Sequence, residues 1–593
     1  MWLFLLLVSA TSDPALSDPW LKLLRYKPNR FSAGFESQVD DPKFFLSPIG
    51  KSNPSAEWRE TQRAFQRDPQ LKCRFPARYL LMNEHSQLSQ QELETCFDFQ
   101  KFKDILKAKS VSLIFSSYFL NNPSSAFGHV FLRFNQSSDE QQPELLDHAV
   151  DFAANVDTQN ALVYGIKGIF GYFKGTFSLK PYFFQVRQYA AFESRDLWSY
   201  RIRFSEDEVS YLIAHLWEVG QSWIDYYYFD ENCAYHILGS IEAVRPQLNL
   251  TDSLPPYVIP IDVIRVLRAH ELLDEPSFRP SVKSALDDQL KSLSSDQINR
   301  IRLWTHLQEQ PPMAVGKQDA AALDAALDTM NYLYPYEIQL PHSEASKRKA
   351  LLGKLRASLA ISSPPKSVSH KQSELPHRAH KTSLLSVGGG YSKLGKSFSE
   401  LRFRPVFHDL IDPTAGLPQY AEVKFFDFTM RWLWEKQKIV LKDLTAFEVF
   451  SLTPWEQIYR PLSWHLRVGA QTRDDLDCQN CLSATIEGGG GLSSKNVSVL
   501  VEGEGTLNPK LKDNSVGYFG IGPTAILRLP STEGFGFLLK SSYRYRILLK
   551  KDTHGSSIEM SARYQLSQDF SVIGRWGVFD LQPEGQLEVR YYF

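Results

Sequence analysis

The sequence predicts an α+β domain behind a helical N-terminal region, followed by a C-terminal antiparallel transmembrane β-barrel of about twelve strands. Three observations carry this prediction. Nearly every segment from residue 381 onward alternates apolar and polar residues with period two. Residues 109–272 instead alternate strand-like and helix-like runs. Of the five cysteines, Cys233 is left over once Cys73 is paired with Cys96 and Cys478 with Cys481.

The first ten residues form a short apolar run ending Val8-Ser9-Ala10, the small-residue pattern of a signal-peptidase site, so residues 1–10 read as a signal peptide. That run is too short to cross a bilayer. Export to an oxidising compartment fits paired cysteines. Residues 11–108 read as helical with breaks at Pro48 and Pro54, and Cys73 and Cys96 flank a polar stretch that a disulfide would close.

Within 109–272, residues 111–115 read as a buried strand and 129–134 as a second. Residues 145–152 read as a third, paired with the second across the polar turn 136–143. Residues 199–204 alternate as a strand should. Ser205 followed by Glu206, Asp207 and Glu208 is a helix start with a cap and early acids. Val209, Leu212, Ile213 and Leu216 then have helical spacing and read as core. Residues 273–380 read as a helical connector and a flexible linker. His342, His370, His377 and His380 lack metal-ligand spacing there and read as solvated, so no metal and no cofactor are expected.

In the last third, Val497, Val499 and Val501 alternate with Ser498, Leu500 and Glu502. Phe535, Phe537, Leu539, Tyr543 and Tyr545 alternate with Gly536, Lys540, Ser542, Arg544 and Arg546. Charged residues alternating with apolar ones over roughly ten-residue strands is the pattern of a membrane barrel with a polar lumen. Leu587, Val589, Tyr591 and the final Phe593 share one face, which resembles the C-terminal signal read by the outer-membrane barrel-assembly machinery. Cys478 and Cys481 sit beside Asp474, Asp475 and Asp477 and read as a small disulfide loop between strands. A net charge of −1 and a pI near 6.9 give no reason to expect a nucleic-acid partner.

The chemistry centres on Cys233 in the run Phe229-Asp230-Glu231-Asn232-Cys233. Ile237, Leu238, Ile241 and Val244 follow at helical spacing, so Cys233 opens a helix capped by Asp230 or Asn232. Unpaired N–H groups and the helix dipole favour a thiolate there, while Asp230 and Glu231 oppose it. His129 leads its strand after the small-residue turn ending Phe127-Gly128, with Phe131 and Arg133 on the same face. A thiol and an imidazole brought together form a nucleophile and its base.

The order His then Cys, with Asn-Cys opening a helix, resembles the circularly permuted papain-like superfamily. Three motifs resemble the Lnb N-terminal periplasmic domain family more closely: Phe127-Gly128-His129 through Arg133, Glu193-Ser194-Arg195-Asp196-Leu197-Trp198, and Phe229 through Cys233. The resemblance implies a permuted papain-like domain over 109–272 and N-acylation of lipoproteins, with Cys233 carrying the acyl chain of a phospholipid as a thioester. His129 would act as base, and Asp151, or else His148, as the orienting group. That family's enzymes carry C-terminal membrane helices, where this chain is expected to place a barrel over 381–593.

Arg133, Phe170, Tyr172 and Phe173 are candidate substrate-binding residues, the aromatic three lying in a run suited to a greasy substrate. The expected partners are a phospholipid acyl donor, a lipoprotein or peptide acceptor and the outer membrane. Two other functions use the same residues differently: a cysteine peptidase or amidase acting on cell-wall peptides, and a non-catalytic outer-membrane binding protein.

Overall fold

The computed structural model describes residues 13–29, 33–84, 86–119, 126–137, 144–310, 312, 314–361, 374–393, 396–456, 458–473, 481–507, 517–529, 534–548 and 553–593. The signal-peptide reading, the linker at 362–373 with His370, and the Cys478–Cys481 pairing lie outside what is described. The chain divides into two compact units: Met1–Ser117 with Phe127–Arg279, and Tyr118–Ala126 with Pro280–Phe593.

The first unit is built on a seven-stranded antiparallel sheet. Its spatial order is Ile224–Tyr226, Phe173–Pro181, His148–Ala154, His129–Asn135, Ser110–Ser116, Leu197–Ile202 and Ser277–Arg279. Ser110–Ser116 is buried along its whole length, as its unbroken apolar core Val111, Leu113, Ile114 and Phe115 requires. The helix Cys233–Val244 packs on His129–Asn135 and His148–Ala154, with His236 4.4 Å from the Phe152 ring. On the other face Ile114, Phe131 and Ala149 form a core with Tyr182, Ala190 and Leu197. Ser205 caps the helix Glu206–Val219 in a full capping box with Glu208, as the sequence predicts. The strand expected from residue 145 begins at His148, because Glu144–Leu146 makes a single 3-10 turn that turns Glu144 onto Arg133 and Arg279.

The helical N-terminal region belongs to this same unit. Arg25 donates to the His236 carbonyl (3.1 Å) and the Ser240 hydroxyl (2.7 Å) on the cysteine helix. Lys22 pairs with Glu242 at 3.0 Å. Arg78, fully buried, is held by Glu57 at 2.9 Å, Glu218 at 3.2 Å and the Phe44 carbonyl at 2.8 Å. Burying such charges is tolerated only because every partner is hydrogen-bonded. Cys73 and Cys96 are disulfide-bonded as expected, with Cα atoms 5.1 Å apart.

In the second unit, the helices Val282–Lys291, Ser295–Thr305, Ala320–Leu333 and Glu344–Ser358 share a core around Leu286, Ile301, Leu323, Met330 and Leu352. Twelve long strands follow, from Leu384–Ser392 and Lys396–Arg404 through Ala421–Leu433 to Gln582–Tyr592. Each is antiparallel to its neighbours. Leu384–Ser392 pairs with Gln582–Tyr592, and Lys396–Arg404 with Ala421–Leu433, so the sheet closes into a barrel and has no edge. Val499, Val501, Ile521, Ile558, Met560 and Leu587 stand exposed on the outside, while Glu502, Arg544, Glu588 and Arg590 are buried within. An apolar exterior around an ion-paired interior is the outer-membrane arrangement. Among the described residues no helix is long and apolar enough to cross a membrane.

Two features of the barrel differ from the sequence reading. The lumen is not uniformly polar: Leu410, from the segment between Val406–His408 and Ala421–Leu433, packs with Phe450, Leu452, Leu500 and Ile526. His380 is not a solvated linker residue but buried, its Nε2 3.2 Å from Nδ1 of His408. Three guanidiniums, Arg402, Arg404 and Arg590, are interlocked with Asp409 and Asp412 beside it. This segment fills the lumen with contacts between residues distant in sequence, which strand alternation does not report.

Leu539 lies on the outward register and Ser542 lines the lumen cavity. Leu539→Arg is expected to cost about 2–4 kcal/mol of barrel stability near the midplane and Ser542→Arg much less. Denaturant titration of the full-length protein in lipid, read by heat-modifiable gel mobility, measures both. Equal costs would reverse the facing assigned to Phe535–Leu548.

Candidate active site

Cys233 is the first residue of its helix and is buried. Asn232 fixes it there: Oδ1 accepts from the N–H groups of Ala234 (2.9 Å) and Tyr235 (3.3 Å), while Nδ2 donates to the carbonyls of Tyr228 (3.2 Å) and Val258 (2.7 Å). Asn232, and not Asp230, is thus the cap. Around Sγ converge the N–H of Val130, the N–H of Ala234 and the hydroxyl of Tyr226. Val130 directly follows His129, so the strand that carries the imidazole also touches the thiol.

Gly128 makes this approach possible. Its φ is +89°, and a Cβ there would lie 2.7 Å from the Phe115 ring and 2.9 Å from the Ser116 carbonyl oxygen. Only glycine meets both conditions without displacing backbone.

His129 is half-buried, its ring 5.6 Å from Tyr189 and 6.1 Å from Phe131, and its Nε2 has no hydrogen-bond partner among the described residues. Burial pulls its pKa down to about 4, against the opposing pull of Asp151, so the ring is neutral at pH 7. Asp151 is buried on the neighbouring strand. It receives Ser178, Lys180 (3.1 Å) and Gln185 (3.0 Å). Burial opposes its ionisation, but the Ser178 hydrogen bond and the charges of His129 and Lys180 hold it below the usual carboxylate range. Asp151 and His129 thus share one electrostatic neighbourhood. His148 lies in the alternate register opposite Phe134, where the neighbouring charge acting on it is Asp147.

Burial also pushes the Cys233 thiol up to about 11, against the three hydrogen bonds to sulfur. The thiolate that the helix terminus would favour is outweighed by desolvation. At rest Cys233 is a protonated thiol and His129 a neutral imidazole, the protonation states that general-base activation starts from. Glu231 matters here too: burial raises it to about 7, which weakens the anion expected to oppose the thiolate.

The other sequence candidates separate. Arg133 is buried and committed to Asn135 (2.8 Å), Glu144 and Asp147 (3.6 Å), so its guanidinium braces the sheet. Phe173 is buried under Tyr164, whereas Phe170 and Tyr172 are exposed. The run 165–173 is not one strand or loop; it is the end of the helix Ala161–Ile169, a turn, and the start of Phe173–Pro181. Three residues near the thiol were absent from the sequence candidates: Tyr226, Tyr189 and Arg195. Arg195 is buried, donates to the Ser116 (3.0 Å) and Ser117 carbonyls, pairs with Glu193 at 2.9 Å and lies 4.9 Å over Tyr189. Its motif was visible in the sequence, but only the fold brings it into the electrostatic field of Cys233.

Among the described residues one group has the geometry to hold a metal ion, His380, His408 and Asp412 in the barrel. The Asp412 oxygens already accept from Arg404 (2.7 Å), Arg590 (2.8 Å) and Tyr592 (2.7 Å), so guanidiniums meet its charge.

A raised thiol pKa makes Cys233 mostly protonated throughout the neutral range. Its alkylation by iodoacetamide in the full-length protein should keep rising about tenfold per pH unit from pH 8 to pH 10. A plateau above about pH 9.5, the behaviour of an ordinary thiol of pKa about 8.5, would contradict the desolvated site.

Residues 98–270 match the model of the Lnb N-terminal periplasmic domain. Residues 373–592 and 15–85 match two domains of unknown function, DUF7840 and DUF7843. No curated protein matches the chain. Among solved structures, a KdgM porin in complex with disordered oligogalacturonate aligns with 35% of this chain and 99% of its own, at 8% identity and a TM-score of 0.23. The COG4313 outer membrane channel from Pseudomonas putida F1 aligns with 38% of this chain and all of its own, at 10% identity and a TM-score of 0.24. The loop L8 deletion mutant of OmpT, an outer membrane protein of Vibrio cholerae, aligns with 36% of this chain and 97% of its own, at 7% identity and a TM-score of 0.20. Cys233, His129 and Asp151 thus all lie within the segment 98–270 that matches the Lnb N-terminal periplasmic domain, carried on one chain with a closed twelve-stranded outer-membrane barrel.

Proposed function

We propose that the protein is a thiol acyltransferase that moves an acyl chain from a phospholipid to the amine of a lipoprotein at the periplasmic side of the outer membrane. The observation that carries this reading is the convergence of the Val130 and Ala234 N–H groups and the Tyr226 hydroxyl on Sγ of Cys233, Val130 being the neighbour of a neutral His129 on its strand. The match to the Lnb N-terminal periplasmic domain supports it, as does the packing of the cysteine helix on an antiparallel sheet that bears the histidine.

In the first half-reaction His129 takes the thiol proton as Sγ attacks the ester carbonyl. The S–C bond forms, the ester C–O bond breaks, and the proton passes from His129 to the leaving lysophospholipid oxygen. In the second, the acceptor amine attacks the thioester; the C–N bond forms, the C–S bond breaks, and His129 carries the amine proton to sulfur. Asp151 stabilises the imidazolium in both steps, and in this scheme the Val130 N–H beside the sulfur would receive the carbonyl oxygen as it gains charge. Water in place of the amine would make the same site a hydrolase.

The test is mass spectrometry of full-length protein incubated with phosphatidylethanolamine vesicles, with and without an acceptor lipopeptide. An acyl adduct on Cys233 that is discharged onto the lipopeptide amine is expected. Cys233→Ser should abolish it, and His129→Ala should slow adduct formation by about 10²–10⁴-fold. Discharge to free fatty acid with no acylated lipopeptide would make the protein a hydrolase. Release of products by the Cys233→Ser protein would remove Cys233 from the chemistry.

A further inference from the structure

The helix Ala161–Ile169 has an unusual allocation of side chains. Val163, Ile166, Ile169 and the following Phe170 fall within about 120° of arc at 100° per residue, and all four are exposed, Ile166 by 46% and Phe170 by 61%. Tyr172, next along the chain, is 68% exposed. The opposite side faces the protein: Tyr164 packs 5.6 Å from Phe173, and Gly168 lies against Tyr228, whose N–H donates to the Gly168 carbonyl at 2.8 Å. Lys167 is turned aside and held by Asp157 at 2.6 Å. A helix in water normally hides its apolar stripe and shows its charges. This one does the reverse.

The helix is linked to the sulfur of Cys233 through the tyrosine run. Its partner Tyr228 is two residues from Tyr226, whose hydroxyl reaches Sγ of Cys233. Gly171, at φ +74°, sits against the Tyr227 ring, where a Cβ would lie 2.3 Å away. The exposed apolar surface is therefore joined to the nucleophile through the tyrosine run 226–228. The same chain carries a barrel of the outer-membrane kind, so this domain is covalently attached to a part that a bilayer surrounds.

We infer that Val163, Ile166, Ile169, Phe170 and Tyr172 dock into the interfacial region of that bilayer, and that lipid acyl chains reach Cys233 beside the tyrosine run. Short amphipathic helices bind in this way, with their apolar face sunk to the level of the headgroup–acyl boundary. Phe170 and Tyr172 supply the aromatic contacts favoured at that depth. The docking stands on exposure and placement alone; the entry of the acyl chain rests on the acyltransfer reading.

The test uses full-length protein reconstituted in phosphatidylethanolamine–phosphatidylglycerol vesicles. p-Benzoylphenylalanine at position 170 should give a lipid photoadduct, with a yield at least tenfold above the same probe at Leu88, an exposed residue on another helix of this domain. Equal yields would overturn the docking. Ile166→Asp with Ile169→Asp should lower acyl-adduct formation on Cys233 from vesicle lipid at least tenfold. Its reaction with a water-soluble short-chain thioester should stay unchanged, which also shows that the domain is folded. If the soluble donor loses as much as the vesicle lipid, the helix is not an entry route. A strong photoadduct at 170, with no acyl adduct on Cys233 from any donor, would leave the docking standing and reject the acyltransfer reading.

Discussion

The site depends on the side chain of Asn232. Its amide makes four hydrogen bonds, two into the first turn of the cysteine helix and two to carbonyls of segments that arrive from either side. An aspartate would cap the helix equally well, but it has no donors for the Tyr228 and Val258 carbonyls and would add an anion next to the sulfur. The donor pair locks the end of the tyrosine run and the 254–259 segment to the helix terminus. With that lock in place, Tyr226 and Val130 both reach Sγ. The buried tie between Arg25 and the His236 carbonyl and Ser240 holds the same helix from its far side.

The electrostatics follow from burial more than from pairing. Desolvation raises the thiol and lowers the imidazole, so neither carries charge at rest, and the nearby Glu231 is raised as well. The fixed charges left near the sulfur are Asp151, anchored by three donors, and Arg195, anchored by two carbonyls and Glu193. Both are held by groups other than Cys233 and His129, so their positions are fixed independently of the thiol and the imidazole, as preorganised charges are.

The barrel was legible because lipid imposes its rule on every strand: one face apolar, the other satisfied by polar partners. The capping box at Ser205, the disulfide of Cys73 with Cys96 and the cysteine helix were legible because each is written in residues close in sequence or in a small count of cysteines. The helix Ala161–Ile169 was not, since Gly165 and Gly168 weaken the helical signal and its apolar arc points outward. The partners of Arg133, Glu144 and Asp147, were not legible either, because they lie across a turn from its strand. Tyr189, Tyr226 and Arg195 approach Cys233 only after four strands have paired. The burial of His380 against His408 required the closed barrel and could not be read from histidine spacing.

One consequence ties the nucleophile to its compartment. The oxidising surroundings that join Cys73 to Cys96 would also convert an accessible thiolate to sulfenic acid or a mixed disulfide. Cys233 escapes by being buried and protonated, two properties that share one physical cause. The same burial slows its reaction with any soluble electrophile, so the high thiol pKa and the survival of a lone cysteine outside the cytoplasm both follow from keeping water away from Sγ.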